Sequence, residues 1–164
     1  MNINCFLFDR DGVLIKNLGY LIDSSKIKFL NKKKIKVIIV TNQSGVARGY
    51  FSIKQLKRFN SDFLSRLIKF KARVDKIYFC PFYKKGIIPR YKKDSFDRKP
   101  NPGMILKALK KFKIKKKNSF MIGDSRSDYL AAKRAGIKFE YKKNYSLYKQ
   151  VKNIMKTFKN KNES

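Results

Sequence analysis

The chain has 164 residues, a length typical of one domain that buries its own hydrophobic core. It carries 42 lysine and arginine residues against 11 acidic residues, a formal charge of +31, and it has no histidine. The absence of histidine excludes serine–histidine–aspartate triads, cysteine–histidine pairs and histidine-ligated metals. Its two cysteines are too few for a disulfide framework and fit a reducing compartment such as the cytoplasm. The sequence predicts neither a signal peptide nor a membrane span.

The positive charge has two interpretations. A surplus of this size attracts nucleic-acid phosphates, but lysine, asparagine and isoleucine are spread over the whole chain, as an AT-rich genome would produce. A dedicated nucleic-acid surface would instead cluster its cations and interleave them with aromatic residues. We therefore predict no specific nucleic-acid partner, while some non-specific binding to polyanions is expected under either interpretation.

Apolar periodicity divides the chain into alternating strands and helices. Short β-branched or aromatic runs predict the strands, and apolar residues recurring at helical spacing predict the helices. Ser52 and Gln55 form a capping-box pattern, Asn101 is predicted as an N-cap before Pro102, and Gly136 as a left-handed helix stop. In chain order, the predicted elements are a strand over 3–8, a helix within 24–34, a strand over 36–40, a helix over 52–68, a strand over 76–80, a loop over 84–99, a helix over 101–112, a strand over 119–122, a helix over 127–135, a strand over 138–141 and a helix over 147–158.

Strands that alternate with helices predict an α/β fold in which one parallel sheet is covered by helices on both faces. We predict a single domain over 1–158 and a frayed tail over 159–164. In such sheets, ligands bind beyond the carboxyl ends of the strands. Asp9, Thr41 and Asp124 follow apolar strands closely and are therefore expected at that edge.

Two acidic groups follow predicted strands. Asp9 and Asp11 leave the first strand two positions apart, and two carboxylates this close repel unless they share a proton or a cation. A divalent ion with oxygen ligands is the natural partner, although an Asp-x-Asp pair alone is more often an acidic loop cap. Asp124 and Asp128 form the second group, and Asp128 could equally serve the first turn of a helix. In a chain with so few acids, four aspartates at two strand ends indicate a site.

Two further groups are suited to phosphate. Residues 41–49 combine a hydroxyl, an amide and glycines at a strand end, which can donate hydrogen bonds to a phosphate or form an ordinary β–α loop. Residues 97–103 place Arg98 and Lys99 before a predicted helix start. The planar guanidinium group of Arg98 and the compact ammonium charge of Lys99 both suit phosphate oxygens.

In this order along nearly the whole chain, the four groups resemble the motifs of the haloacid dehalogenase superfamily of phosphatases. Residues 8–14 resemble its nucleophile motif. Residues 41–49 and 98–103 narrow the resemblance to the D-glycero-D-manno-heptose 1,7-bisphosphate 7-phosphatase family, which is related to histidinol-phosphatases. The resemblance implies a Rossmann-like domain with little or no cap.

The resemblance also implies an aspartyl-phosphate mechanism. Asp9 would be the nucleophile, and Asp11 would protonate the leaving oxygen and then activate water. Mg²⁺ would be held by Asp9, the backbone carbonyl of Asp11 and Asp124, with Asp128 as a further candidate. The other residues with an implied role are Lys99 and Thr41 as phosphoryl-binding catalytic residues, and Asn42, Arg48, Arg98 and Tyr20 as substrate-binding residues.

Members of this family often hold a structural zinc through Cys-x-His and Cys-x-Cys in the loop before the Arg-Lys-Pro motif. The positions that align with those ligands are Cys80, Phe82, Ser95 and Asp97. Only one strong ligand remains of the four that a closed site needs, and we therefore predict no structural zinc. The loop would then be mobile or held by packing, with Phe82, Tyr83 and Phe96 as the candidates.

The leading hypothesis is a Mg²⁺-dependent phosphatase acting on a small phosphorylated sugar, most specifically a heptose bisphosphate in bacterial lipopolysaccharide synthesis. We expect it to act as a monomer in the cytoplasm, away from membranes. The alternatives are a histidinol-phosphatase, a nucleic-acid 3′-phosphatase of the same superfamily, which would account for the charge, and a degenerate phosphatase fold retained as a binding protein.

Overall fold

The computed structural model describes residues 3–15 and 24–160, with side chains described up to residue 158. Within these ranges, the strands are β1 Cys5–Phe8, β2 Lys36–Asn42, β3 Lys76–Cys80, β4 Ser119–Gly123 and β5 Lys138–Tyr141. The α-helices of the same ranges are α1 Ser25–Lys32, α2 Ile53–Lys69, α3 Gly103–Lys111, α4 Arg126–Ala135 and α5 Leu147–Asn160, and 3₁₀ turns span Pro89–Tyr91 and Lys116–Asn118. No helix within the described ranges is both long and apolar enough to cross a membrane.

The strands of the described residues belong to one parallel sheet in the order β3-β2-β1-β4-β5. In the centre, Phe8 is in register with Ile39 of β2 and with Ile122 of β4. The residues that follow these three strands therefore emerge at the same edge. This arrangement confirms the predicted α/β fold.

The sheet separates two apolar cores, because successive side chains of a buried strand point to opposite faces. On one face, Phe6 and Phe8 pack with residues of α1, α2 and α5. On the other, Cys5 and Leu7 pack with residues of α3 and α4. The continuously apolar strands are thus covered on both sides, as the absence of polar alternation in them predicted.

Some element boundaries differ from the sequence prediction. Asn101 is not an N-cap: its side-chain Nδ2 donates to the Ser95 carbonyl at 3.1 Å, and α3 begins two residues later without a side-chain cap. Helix α4 begins earlier than predicted, because Ser125 forms a capping box with Asp128. Helix α5 continues to Asn160 and so includes the first two residues of the predicted tail over 159–164, whose other residues, 161–164, lie outside the described residues.

Candidate active site

Asp9 lies directly after β1, where a tight turn reverses the chain. Its backbone N–H donates to the Ile122 carbonyl at 3.1 Å, which continues the β1–β4 pairing by one residue. The Leu14 and Ile15 amides both donate to the Arg10 carbonyl, at 3.0 and 2.9 Å. The Asp9 side chain is therefore fixed at the carboxyl edge of the central strand, and it is nearly buried.

Lys99 brings a buried cation to the same point. Its Nζ lies 2.8 Å from Asp9 Oδ1 and 2.6 Å from Asp128 Oδ1, and it donates to the Val40 carbonyl at 2.8 Å. The contact with Asp128 Oδ1 is an ion pair without hydrogen-bond geometry, since no hydrogen bond reaches that oxygen among the described residues. Only 3% of Lys99 is exposed, so water screens these charges little.

Three carboxylates cluster around this cation. Asp9, Asp124 and Asp128 each offer one oxygen within 4.8 Å of the others. Burial raises the pKa of Asp9 to about 6, with Asp128 adding to the rise and Lys99 opposing it. Burial, and then the charge of Asp128, also raises the pKa of Asp124. Three carboxylates facing the Lys99 ammonium give this cluster an excess of negative charge. The carboxylate oxygens fit a divalent cation such as Mg²⁺.

Asp128 has most of its carboxylate already in use. Its Oδ2 accepts from the backbone amides of Asp124 and Ser125, at 3.2 and 3.1 Å, and from Ser125 Oγ at 2.8 Å. Its Oδ1 faces Lys99. The side chain thus joins the turn that carries Asp124 to the buried lysine, and its predicted place among the metal ligands stays a prediction.

Gly12 lies against the carboxylate of Asp124. A Cβ on this glycine would be 1.8 Å from Asp124 Oδ2, and the Gly12 φ of +78° is in the left-handed region. Only glycine meets both constraints without strain. The first and fourth motifs are therefore in direct contact, through a residue without a side chain.

Substituting Gly12 by alanine is expected to weaken Mg²⁺ binding and to lower activity roughly 10- to 100-fold, because the new methyl group must displace Asp124. The dependence of the rate on Mg²⁺ concentration measures this effect. Gly136→Ala is the matched control, since Gly136 has a φ of +75° at the end of α4 and a Cβ there would approach only the Lys116 side chain. Equal Mg²⁺ requirements in the two variants would contradict the prediction.

Asp11 is held by two side chains that the sequence analysis did not single out. Arg10 Nε and Nη2 donate to its two carboxylate oxygens at 2.9 and 3.1 Å, and Gln43 Nε2 donates to Asp11 Oδ2 at 2.6 Å. Gln43 Nε2 also donates to Thr41 Oγ1 at 2.9 Å. Arg10 Nη1 donates to Asn60 Oδ1 of α2 at 3.0 Å. Asn60 could have been recognised from the sequence, because it is a polar residue on the buried, otherwise apolar face of α2.

A cavity of about 420 Å³ opens beside Asp11. Its volume falls within the range of small-molecule sites. The residues that line it are Arg10, Asp11, Ile15, Gln43, Phe51, Gln55, Leu56 and Phe59. Space therefore exists on the side of the site that carries the predicted general acid.

Asn42, predicted to contact substrate, has its amide on the backbone of Lys99. The Asn42 Nδ2 donates to the Lys99 carbonyl at 2.9 Å, and Asn42 Oδ1 accepts from the Lys99 N–H at 3.0 Å. Its contact with substrate stays a prediction. Tyr20, another residue predicted to contact substrate, lies outside the described residues.

Arg48 and Arg98 come together around one aromatic ring. Their guanidinium carbons lie 4.4 and 4.7 Å from the centre of the Tyr83 ring. The Ala47 carbonyl accepts from the Ile87 and Ile88 amides, at 2.8 and 3.0 Å, which joins the loop after β2 to the loop after β3. Cation–π contacts offset part of the repulsion between the two guanidinium groups. The arginine–tyrosine cluster (Arg48, Tyr83 and Arg98) concentrates positive charge where the loops after β2 and β3 meet.

Side-chain contacts in the loop after β3 involve the positions that align with zinc ligands in the resembled family. Burial raises the pKa of the Cys80 thiol, which opposes the thiolate form that zinc requires. The Phe82 ring packs at a tilt against Tyr91 with 6.0 Å between ring centres, and Asp97 forms an ion pair with Lys107. These side chains do not fit a closed zinc site. Phe96, predicted as a packing residue, is 62% exposed, so that prediction was wrong.

Comparison with known proteins gives consistent relatives. Residues 90–142 match the family described as haloacid dehalogenase-like hydrolase. The chain is 40% identical over 145 residues to D-glycero-alpha-D-manno-heptose-1,7-bisphosphate 7-phosphatase of Photorhabdus laumondii, covering 82% of this chain and 79% of that protein. It is 40% identical over 139 residues to D-glycero-beta-D-manno-heptose-1,7-bisphosphate 7-phosphatase of Rhodopseudomonas palustris, covering 79% and 77%.

The same similarity extends to a solved structure. The D,D-heptose 1,7-bisphosphate phosphatase of B. bronchiseptica, crystallised with magnesium and phosphate, superposes with a TM-score of 0.72. The two chains are 26% identical, and the match covers 85% of this chain and 79% of that one. The fold and the sequence motifs therefore point to the same set of relatives.

Proposed function

This chain belongs to the D-glycero-D-manno-heptose 1,7-bisphosphate 7-phosphatases, a family of haloacid dehalogenase-like hydrolases, and we propose that it removes the 7-phosphate of such a heptose bisphosphate. The observation that carries the proposal is the buried Lys99 ammonium between Asp9 and Asp128, within a cluster of three carboxylates. A cation fixed beside a carboxylate nucleophile suits the transfer of a phosphoryl group, whose catalysis is mainly positioning and charge stabilisation.

The proposed reaction has two steps. A carboxylate oxygen of Asp9 attacks phosphorus, the bond from phosphorus to the sugar oxygen breaks, and Asp11 donates its proton to that oxygen. Asp11 then takes a proton from water, the water oxygen attacks phosphorus, and the bond to Asp9 breaks to release phosphate. Lys99 and Thr41 contact the phosphoryl oxygens throughout.

Mg²⁺ fits the carboxylate cluster, with Asp9, Asp124 and the Asp11 backbone carbonyl as the proposed ligands. It would supply positive charge against both the nucleophile and the phosphate. The magnesium and phosphate bound by the similar B. bronchiseptica enzyme support this assignment. Asp128 is proposed to support Asp124 and Lys99, because three donors already occupy its Oδ2.

The arginine–tyrosine cluster is the proposed binding site for the second phosphate of the substrate. Arg98 directly precedes Lys99, so the cluster adjoins the phosphoryl site along the chain. Arg98 Nη1 donates to the Phe82 carbonyl at 3.1 Å, which leaves other guanidinium donors for an anion. Paired guanidinium groups bind phosphate through several charge-assisted hydrogen bonds.

A phosphate-release screen tests the substrate. With Mg²⁺ present, we expect kcat/KM to be highest for heptose 1,7-bisphosphate, compared with histidinol phosphate and a 3′-phosphorylated oligonucleotide. Both anomers of the bisphosphate belong in the screen, because relatives of either name match this chain. Preference for the oligonucleotide would overturn the proposal and give the +31 charge a function.

Arg48→Met is expected to lower kcat/KM for the bisphosphate roughly 10- to 100-fold, since a hydrogen bond to a charged group contributes about 1.5–3 kcal/mol. The rate with heptose 7-phosphate, which lacks the second phosphate, should change little. Arg90→Met, which removes an exposed arginine from the neighbouring loop, is the matched control. An equal loss on both substrates would place Arg48 elsewhere than at the second phosphate.

We also propose that the enzyme acts in the cytoplasm. Its described cysteines, Cys5 and Cys80, are free and buried, which suits the reducing cytoplasm where sugar phosphates are made. We also propose that the enzyme acts as a monomer with a single catalytic domain.

A further inference from the structure

Asn42 is the last residue of β2, and its side chain spans the main chain of Lys99, 57 residues away. The amide uses both of its ends: Nδ2 donates to the Lys99 carbonyl at 2.9 Å, and Oδ1 accepts from the Lys99 N–H at 3.0 Å. Two bonds to one residue fix the orientation of its main chain as well as its position. Asparagine suits this contact, because its short side chain carries both a donor and an acceptor.

Lys99 needs such an anchor because it does not belong to a strand. It lies in the loop before α3, whereas two of its Nζ partners, Asp9 and Val40, belong to the β1 and β2 ends. A long lysine side chain places its ammonium accurately only if its main chain is fixed. β2 thus contacts Lys99 twice, through the Val40 carbonyl at Nζ and through Asn42 at the backbone.

We propose that Asn42 is a positioning residue that acts on the reaction through Lys99, and not a substrate contact. This inference deepens the phosphatase activity and rests on it, but it does not depend on which phosphate ester is the substrate. A displacement of about 1 Å at a phosphoryl-binding group is enough to lower a rate roughly 100-fold. Loss of Asn42 should therefore lower kcat more than it changes KM.

The chain provides a matched control for the contact itself. Asn31 Nδ2 donates to the Arg73 carbonyl at 2.9 Å, and Asn31 Oδ1 accepts from the Arg73 N–H at 2.7 Å. This pair has the same arrangement, but it lies where α1 ends and β3 begins, at the opposite edge of the sheet from Asp9. Asn31→Ala therefore removes an equivalent pair of hydrogen bonds without touching Lys99.

The first experiment measures kcat and KM with p-nitrophenyl phosphate, which carries no second phosphate and no heptose. Asn42→Ala should lower kcat roughly 10- to 100-fold with a smaller change in KM, and Asn31→Ala should leave kcat within about twofold. Asn42→Asp keeps the acceptor and loses the donor, so its kcat should lie between those of wild type and Asn42→Ala. A raised KM with unchanged kcat would overturn the proposal in favour of substrate contact.

The second experiment asks whether Asn42 acts through Lys99. The dissociation constant of inorganic phosphate, measured by calorimetry at saturating Mg²⁺, should rise in Asn42→Ala but show no further rise when Asn42→Ala is added to Lys99→Met. If Asn42→Ala raises the dissociation constant of phosphate by the same factor with and without Lys99→Met, the proposal is overturned. Thermal unfolding of every variant, compared with that of Asn31→Ala, shows whether the variant is folded. If Asn42→Ala is unfolded, Asn42→Asp is measured in its place. Failure of the heptose screen would leave both results unaffected.

Discussion

Replacing Asp9 by asparagine is expected to abolish turnover and, at the same time, to stabilise the Mg²⁺-free protein at neutral pH. The carboxamide cannot form the phosphoryl-enzyme bond, so kcat should fall by at least about 10³-fold. Asparagine also resembles the protonated form of the side chain, which the buried environment of Asp9 favours. Phosphate release and thermal unfolding measure the two effects separately.

The stability effect has a defined pH dependence. The pKa of Asp9 is raised from 3.8 to about 6, so the folded protein binds its proton more tightly than the unfolded chain does. In wild type this stabilisation is complete below about pH 4 and is lost as pH rises through 6. The asparagine variant has no proton to lose at this position, so the contribution of residue 9 to its stability does not change over that range. The difference in free energy of unfolding between Asp9→Asn and wild type should therefore grow from near zero at pH 4 to roughly 3 kcal/mol above pH 6, at about 1.4 kcal/mol per pKa unit.

A matched control for Asp9→Asn is Asp62→Asn, which makes the same chemical change at an exposed position of α2. It should leave turnover unchanged and shift the unfolding temperature little at any pH between 3 and 8. Retained turnover in Asp9→Asn would show that another group is the nucleophile. Equal stability of Asp9→Asn and wild type at pH 7 would show that burial does not oppose the Asp9 charge.

The edge where the site forms could be predicted from sequence, because buried strands end where polar residues begin. Asp9 and Thr41 mark the ends of apolar runs, and parallel strands bring such ends together. The family resemblance then implied roles for Lys99 and Asp124. The structure places Lys99 and Asp124 in one cluster with Asp9, and their roles stay predictions.

The contacts between these residues could not be predicted, since they depend on loop paths and side-chain rotamers. Asn42 looked like a phosphate ligand because an amide at a strand end can donate to an anion, yet its partner is a backbone 57 residues away. Asn101 looked like an N-cap, but its amide turns back to Ser95. Arg10 was hidden by the high lysine and arginine content of the chain, in which a single cation carries little information.

Lys99→Met is expected to damage both activity and stability. Loss of a fixed cation at the transferring phosphoryl group should lower kcat roughly 10²- to 10³-fold. The variant also leaves Asp9 beside the fully buried Asp128 without their ammonium partner, and removing one member of a buried ion pair costs about 3–5 kcal/mol. Lys107→Met is the control, because the Lys107 side chain is 58% exposed in its ion pair with Asp97 and the pair should contribute less than about 1 kcal/mol.

The cause of the instability in Lys99→Met can be separated from lost packing. Without the lysine, the pKa of Asp9 should rise above its wild-type value of about 6, since Lys99 is the charge that lowers it. The loss of stability should therefore be largest above that pKa and diminish as pH falls below it and Asp9 takes up a proton. Adding Asp9→Asn to Lys99→Met should restore part of the stability, because it removes one of the two repelling carboxylates. If the double variant is instead less stable than Lys99→Met, repulsion between Asp9 and Asp128 is not what the lysine offsets.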